Sequence, residues 1–182
     1  MDDTGAGITE REGEAYEFDE RLTVVGRRLA PGDAAPPFRL ASLDPATEEM
    51  REVKLGDSAG EVRLLNVVNS LDTPVCHVET RRWEQLRGDL PPGARVYTIS
   101  MDLPFGQARW RRAEGVEHEA LSAHADERFG SDYGVLLKEW RLLQRAVFVL
   151  DGDGTVTHAE YVADQMAEPD YDAAVRAAGE LA

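Results

Sequence analysis

Three apolar runs stand out along an otherwise polar chain: Val62-Arg63-Leu64-Leu65-Asn66-Val67-Val68, Val96-Tyr97-Thr98-Ile99-Ser100 and Ala146-Val147-Phe148-Val149-Leu150. Each reads as a strong strand, and the near-continuous first one as a central strand buried on both faces. After the first run the period changes. Cys76, Trp83, Leu86 and Leu90 follow one another at spacings of seven, three and four, which places them on one face of a helix. Gly88 and Pro91-Pro92-Gly93 end that helix. A second helix is predicted from Gln107 to Glu114, stopping at Gly115. A short one covers His124 to Phe129, before the loop Gly130-Ser131-Asp132-Tyr133-Gly134. The alanine-rich stretch from Tyr171 to Leu181 is a final helix.

The weaker signals complete the order. Tyr16-Glu17-Phe18 and Leu22-Thr23-Val24-Val25, separated by Asp19-Glu20-Arg21, read as a β-hairpin. The segment Pro31-Gly32-Asp33-Ala34-Ala35-Pro36-Pro37 is a loop, because its prolines and glycine suit neither ladder nor helix. Phe38-Arg39-Leu40 and Arg51-Glu52-Val53-Lys54-Leu55 are short strands. Asp151-Gly152-Asp153-Gly154 is a hairpin turn that returns through Thr155 to Tyr161. Residues 1–15 read as an acidic flexible tail and 16–182 as one domain. Strand, helix, strand, helix, β-hairpin and final helix is the order of an α/β, thioredoxin-like fold. A mixed central sheet is flanked by helices, with a β-hairpin at the N-terminus.

Composition narrows the partners. The 182 residues carry a net charge of −15, so nucleic acid and anionic lipid are repelled by the average surface. No window approaches the ~18 apolar residues of a membrane span, and the acidic start lacks the charged and apolar regions of a signal peptide. With one free cysteine, this points to the cytoplasm. The histidines His77, His118, His124 and His158 show no paired metal spacing, so no metal is expected.

The one cysteine, Cys76, is the residue most open to chemistry. It has no second thiol in its own chain to pair with. It follows Thr73-Pro74-Val75 at the predicted start of a helix. Unpaired backbone N–H groups and the positive end of the helix dipole favour a thiolate there. By position alone, a buried inert core thiol fits equally well. Thr73 suits a helix N-cap, and Arg145 stands at the entry to a strand, where it could face solvent or the interior.

Longer motifs decide between these readings. Ser70-Leu71-Asp72-Thr73-Pro74-Val75-Cys76, Met101-Asp102-Leu103-Pro104-Phe105-Gly106-Gln107-Ala108-Arg109-Trp110, Ala113-Glu114-Gly115, Arg145-Ala146-Val147-Phe148-Val149-Leu150-Asp151 and Glu168-Pro169-Asp170-Tyr171 occur in order. Together they resemble the bacterial thiol peroxidases, a branch of the peroxiredoxins, from about Tyr16 to the C-terminus. The resemblance implies a thioredoxin fold, a homodimer, no cofactor, and reduction of hydrogen peroxide and organic hydroperoxides. It implies that Cys76 is the attacking cysteine, with Thr73 and Arg145 as the polar groups around it and Asn69, Pro74 and Val75 lining the pocket. Those types suit the chemistry. A thiolate attacks one peroxide oxygen while charge passes to the other, so a fixed cation and a hydroxyl beside the sulfur are useful.

Two positions depart from the family pattern. Asn69 stands where a proline is usual, which implies a wetter pocket or a hydrogen bond within it. Arg111, followed by Arg112, stands where most members carry the resolving cysteine. The sulfenic acid must then be reduced by an external thiol, such as thioredoxin or a low-molecular-weight thiol, or pair with Cys76 of another subunit. Two other readings remain compatible with these residues: a redox sensor that passes oxidation to a partner, and a non-catalytic dimeric holdase. Arg109, Arg111 and Arg112 read as a solvated basic helix face or a docking patch for an acidic partner.

Overall fold

The computed structural model describes residues 8–182. The chain begins with β1 (Glu10–Glu17) paired antiparallel to β2 (Glu20–Val25), so the predicted hairpin is present. It starts at Glu10, inside the stretch read as tail. Ala15, within β1, is fully buried, and residues 1–7 of the tail reading lie outside the described residues. Next come β3 (Arg39–Leu43), β4 (Met50–Lys54) and β5 (Arg63–Val67), then α1 (Pro74–Leu86), β6 (Arg95–Ser100), α2 (Pro104–Glu114) and β7 (Glu119–Ser122). The chain continues through α3 (Arg128–Asp132), β8 (Leu136–Leu137), β9 (Leu142–Leu143), β10 (Ala146–Leu150), β11 (Val156–Tyr161) and α4 (Tyr171–Gly179).

Seven strands form the central sheet in the order β11-β10-β5-β6-β7-β3-β4. The β5, β6 and β7 strands are parallel, and β10 and β11 extend the sheet antiparallel on the other side of β5. Four further strands make a small second sheet, β1-β2-β8-β9. This is the mixed, thioredoxin-like arrangement expected from the sequence. The three apolar runs lie side by side at its centre because alternate residues enter two different cores. Leu64, Val96, Val147 and Val149 meet Trp83 of α1 and Ala174 and Ala178 of α4. Leu65, Tyr97, Ile99 and Phe148 meet Phe38, Phe129 and Tyr133 on the opposite face. A strand covered on both faces has no polar side to show, which explains the continuous apolar spelling.

Several elements differ from expectation. The third helix lies at 128–132, not 124–129, because Asp126 folds the chain ahead of it into a turn by accepting the Arg128 N–H at 2.9 Å. The second helix starts at Pro104, three residues early, since proline fits the first turn of a helix. The first helix ends at Leu86, so Leu90 packs beside Trp83 from beyond it, while Cys76 joins a separate cluster with Val68, Leu71, Trp110 and Val116. The β7, β8 and β9 strands carry no pattern long enough to read. Among the described residues, no helix is long and apolar enough to cross a membrane.

Candidate active site

The site is built at the junction of β5 and α1. The strand delivers the chain into the turn Asn69-Ser70-Leu71-Asp72, and Thr73 leaves it with extended backbone, φ −90° and ψ 145°, as the residue capping α1. Pro74 occupies the first helical position, where its missing N–H costs nothing and its fixed φ suits the helix. Cys76 is therefore the third residue of α1. Its amide and that of Val75 belong to the first turn, whose N–H groups have no carbonyl within the helix. Asp102, at the end of β6, holds the turn in place. Its carboxylate accepts from the Ser70 hydroxyl at 2.6 Å, the Leu71 N–H at 2.9 Å and the Ser100 hydroxyl at 2.7 Å.

Cys76 is fully enclosed. Its apolar neighbours include Leu71 and Trp110, and the Trp110 indole N–H donates to His77 Nδ1 at 3.0 Å. Its polar neighbours are Arg145, whose Nη2 donates to Sγ at 3.4 Å, and Asn69, whose Oδ1 lies 3.9 Å from Sγ as an acceptor for the thiol proton. Arg145, just before β10, is as fully buried as the cysteine. Its Nη1 donates to the Glu79 carboxylate, its Nη2 also to the Gln165 carbonyl at 2.8 Å, and its backbone N–H to Gln165 Oε1 at 2.9 Å. Asn69 Nδ2 closes the ring, donating to the Leu143 carbonyl at 2.6 Å and to Gln165 Oε1 at 3.0 Å.

Glu79 lies three residues after Cys76, on the same face of α1, and is wholly buried. One of its oxygens meets Arg145; the other, Oε1, has no partner among the described residues. Burial pushes its carboxyl up to about 7, with Arg145 pulling the other way. Burial also works against the charge on Arg145, but Glu79 and Cys76 outweigh it and hold the guanidinium protonated. The centre of the site is thus a permanent cation between a sulfur and a carboxyl that titrates near neutrality.

A cleft of about 290 Å³ reaches Arg145 from the surface, next to the enclosed sulfur. Thr73, Pro74, Val75, Asn69 and Arg145 line it, with Trp140 and Met166 at its apolar side. The structure thus brings Arg145 and Asn69 to the sulfur and sets Thr73, Pro74 and Val75 along the cleft beside it. Thr73 departs in one respect: its side chain makes no cap bond. Its hydroxyl instead donates to the Ser70 carbonyl at 2.8 Å, leaving only its lone pairs for a ligand. Asn69 hydrogen-bonds within the pocket, one of the two consequences expected of it. Arg111 is not part of a solvated face. It is buried and donates to the Glu117 carbonyl at 2.6 Å, whereas Arg109 and Arg112 are exposed. Glu79, Asp102 and Gln165 were missed by sequence reasoning. Glu79 carried a signal in its helical spacing from Cys76, and Asp102 in its place within the motif from Met101 to Trp110.

Comparison with known proteins agrees with this geometry. Residues 31–159 match the AhpC/TSA family. The chain is 45% identical to the thiol peroxidase of Streptococcus sanguinis over 161 residues, covering 88% of this chain and 95% of that protein. It is 44% identical to the thiol peroxidase of Bacillus subtilis strain 168, over 88% of this chain and 93% of the relative. Among solved structures, a peroxiredoxin-like protein from Aquifex aeolicus superposes with a TM-score of 0.79 at 30% identity, covering 96% of this chain and 99% of that one. A cysteine at a helix start beside a buried arginine, on a thioredoxin-like sheet, marks a peroxiredoxin-type protein. The chain belongs to the AhpC/TSA family, and its curated relatives are thiol peroxidases.

Proposed function

We propose that the chain is a thiol peroxidase of the one-cysteine type, with Cys76, Thr73 and Arg145 as its reacting and stabilising groups. The observation that carries this reading is Arg145 Nη2 at 3.4 Å from the sulfur of the third residue of α1. Peroxide enters the cleft past Pro74 and Val75. The Cys76 thiolate attacks the nearer oxygen, forming an S–O bond as the O–O bond breaks. The far oxygen leaves as hydroxide or alkoxide and takes up a proton, while the sulfur becomes a sulfenic acid. Negative charge moves from sulfur to the leaving oxygen, and Arg145 together with the first-turn amides of α1 stabilises it along that path. The Thr73 oxygen accepts the peroxide hydrogen and orients the molecule.

Cys76 is the only cysteine, so an external thiol completes the cycle. It attacks the sulfenic sulfur, water leaves, and a second thiol displaces Cys76 from the mixed disulfide. The protein acts in the cytoplasm, where such thiols are kept reduced. It works as a homodimer, for which the exposed Leu103 and Phe105 supply apolar surface, and sedimentation velocity reports the mass. The activity is tested by following hydrogen peroxide and cumene hydroperoxide with dithiothreitol as reductant. Wild type consumes both and Cys76→Ser consumes neither above background. Equal consumption by the two would overturn the assignment.

A further inference from the structure

A second polar cavity, of about 270 Å³, opens at the other end of α1. Four arginines line it, Arg51, Arg87, Arg95 and Arg111, in a protein whose net charge is −15. Arg87 lies eleven residues along from Cys76, about 16 Å at the helical rise, so this cavity is separate from the cleft over the sulfur.

The arginines are not equally engaged. Arg51 is paired with Glu119, Arg87 with Glu84 and Glu117, and Arg95 with Glu61, and all three are substantially exposed. Arg111 is different. It is 8% exposed and makes no ion pair among the described residues. Its one hydrogen bond there goes to a backbone carbonyl, and its Nε has no partner. Burial lowers its pKa, with Glu119, Asp44 and Glu84 pulling the other way. Three carboxylates also line the cavity, each with a contact elsewhere: Asp44 accepts the Ala46 and Thr47 amides, Glu119 meets Arg51, and Glu117 meets Arg87. His118 is held by Glu84 and Thr98.

We propose that this cavity binds a small phosphate-type oxyanion, with Arg111 as its buried anchor and Arg51, Arg87 and Arg95 as its rim. Planar guanidinium groups offer paired donors to tetrahedral oxyanions. The cavity falls just below the ~300 Å³ at which drug-sized pockets begin, which suits free phosphate or a short phosphate monoester.

The test is titration calorimetry of the full chain with inorganic phosphate and, separately, with glycerol 3-phosphate, against sodium chloride at matched ionic strength. Saturable binding of either is expected, and the arm that binds tighter identifies the source. Arg111→Gln, which removes the charge and keeps a polar amide, should weaken it about tenfold or more, the loss of one charge-assisted bond. Circular dichroism checks its fold. If Arg111→Gln fails to fold, the exposed Arg51→Gln decides, with a several-fold loss expected. No saturable binding above the chloride control, or affinity unchanged in the folded variant, would overturn the proposal.

Discussion

Replacing Glu79 by glutamine separates the buried carboxyl's charge from its shape. In the folded protein that carboxyl titrates near 7, against an ordinary value of 4.5, because it is enclosed and one of its oxygens is unpartnered. Between those two values the folded chain keeps a proton that the unfolded chain has lost. Fewer protons bound in the unfolded state means that stability falls as pH rises. The contribution of Glu79 is fully present below pH 4.5 and is gone above 7. Each tenfold difference in proton affinity between the folded and unfolded chain corresponds to about 1.4 kcal/mol, so about 2–3 kcal/mol disappears between pH 5 and 8. Glutamine keeps an oxygen for Arg145 and does not titrate. The other acidic residues, of 35 in all, also contribute to the pH dependence, so the informative quantity is the difference between the two proteins. Urea unfolding at pH 5, 6, 7 and 8, with equal slopes required of both proteins, gives that difference. Wild type should lose about 2–3 kcal/mol more than Glu79→Gln over this range. Parallel curves would refute a buried, proton-holding Glu79.

The site makes further predictions. Arg145→Gln combined with Glu79→Gln removes both buried charges without stranding either, and the peroxide rate constant measured with dithiothreitol should fall about 100-fold, as for loss of a donor aimed at developing charge. Thr73→Val removes the acceptor while keeping the shape and should cost roughly tenfold in the same assay, with Thr73→Ser restoring most of it. Asn69→Ala removes the donor to the Leu143 carbonyl and leaves Gln165 Oε1 with the Arg145 N–H alone, and should lower unfolding stability by about 1–3 kcal/mol. With no second cysteine to trap the sulfenic acid, modest peroxide excess without thiol should convert Cys76 to sulfinic acid, seen as a gain of two oxygens in the intact mass.

Much of the fold could be read because burial on two faces leaves a plain mark. The three apolar runs became β5, β6 and β10, and the glycine at 115 ends α2 with φ +65°, a left-handed conformation that favours glycine. The four-residue β7 and the two-residue β8 and β9 were not legible, because short strands next to strong ones owe their conformation to the neighbour. The site divides in the same way. Cys76, Thr73 and Pro74 are close enough in sequence for local rules to place them. Arg145 was readable through its motif, not through its position at a strand entry. Gln165 acts from a separate loop and nothing local distinguishes it from a surface polar residue; Asp102 stands within a motif, but nothing in that motif tells that its carboxylate holds the turn before Cys76. Arg111 looked like a solvated charge because its neighbours Arg109 and Arg112 are exposed; only the packing of α2 against β3 and β7 puts it inside.

The most direct measurement is the intact mass of the reduced protein after one equivalent of hydrogen peroxide, with and without a small thiol. One added oxygen located on Cys76 and reversed by the thiol is the expected result. An unmodified mass with the peroxide still present would mean that Cys76 is a packing residue and that Arg145 serves the fold alone.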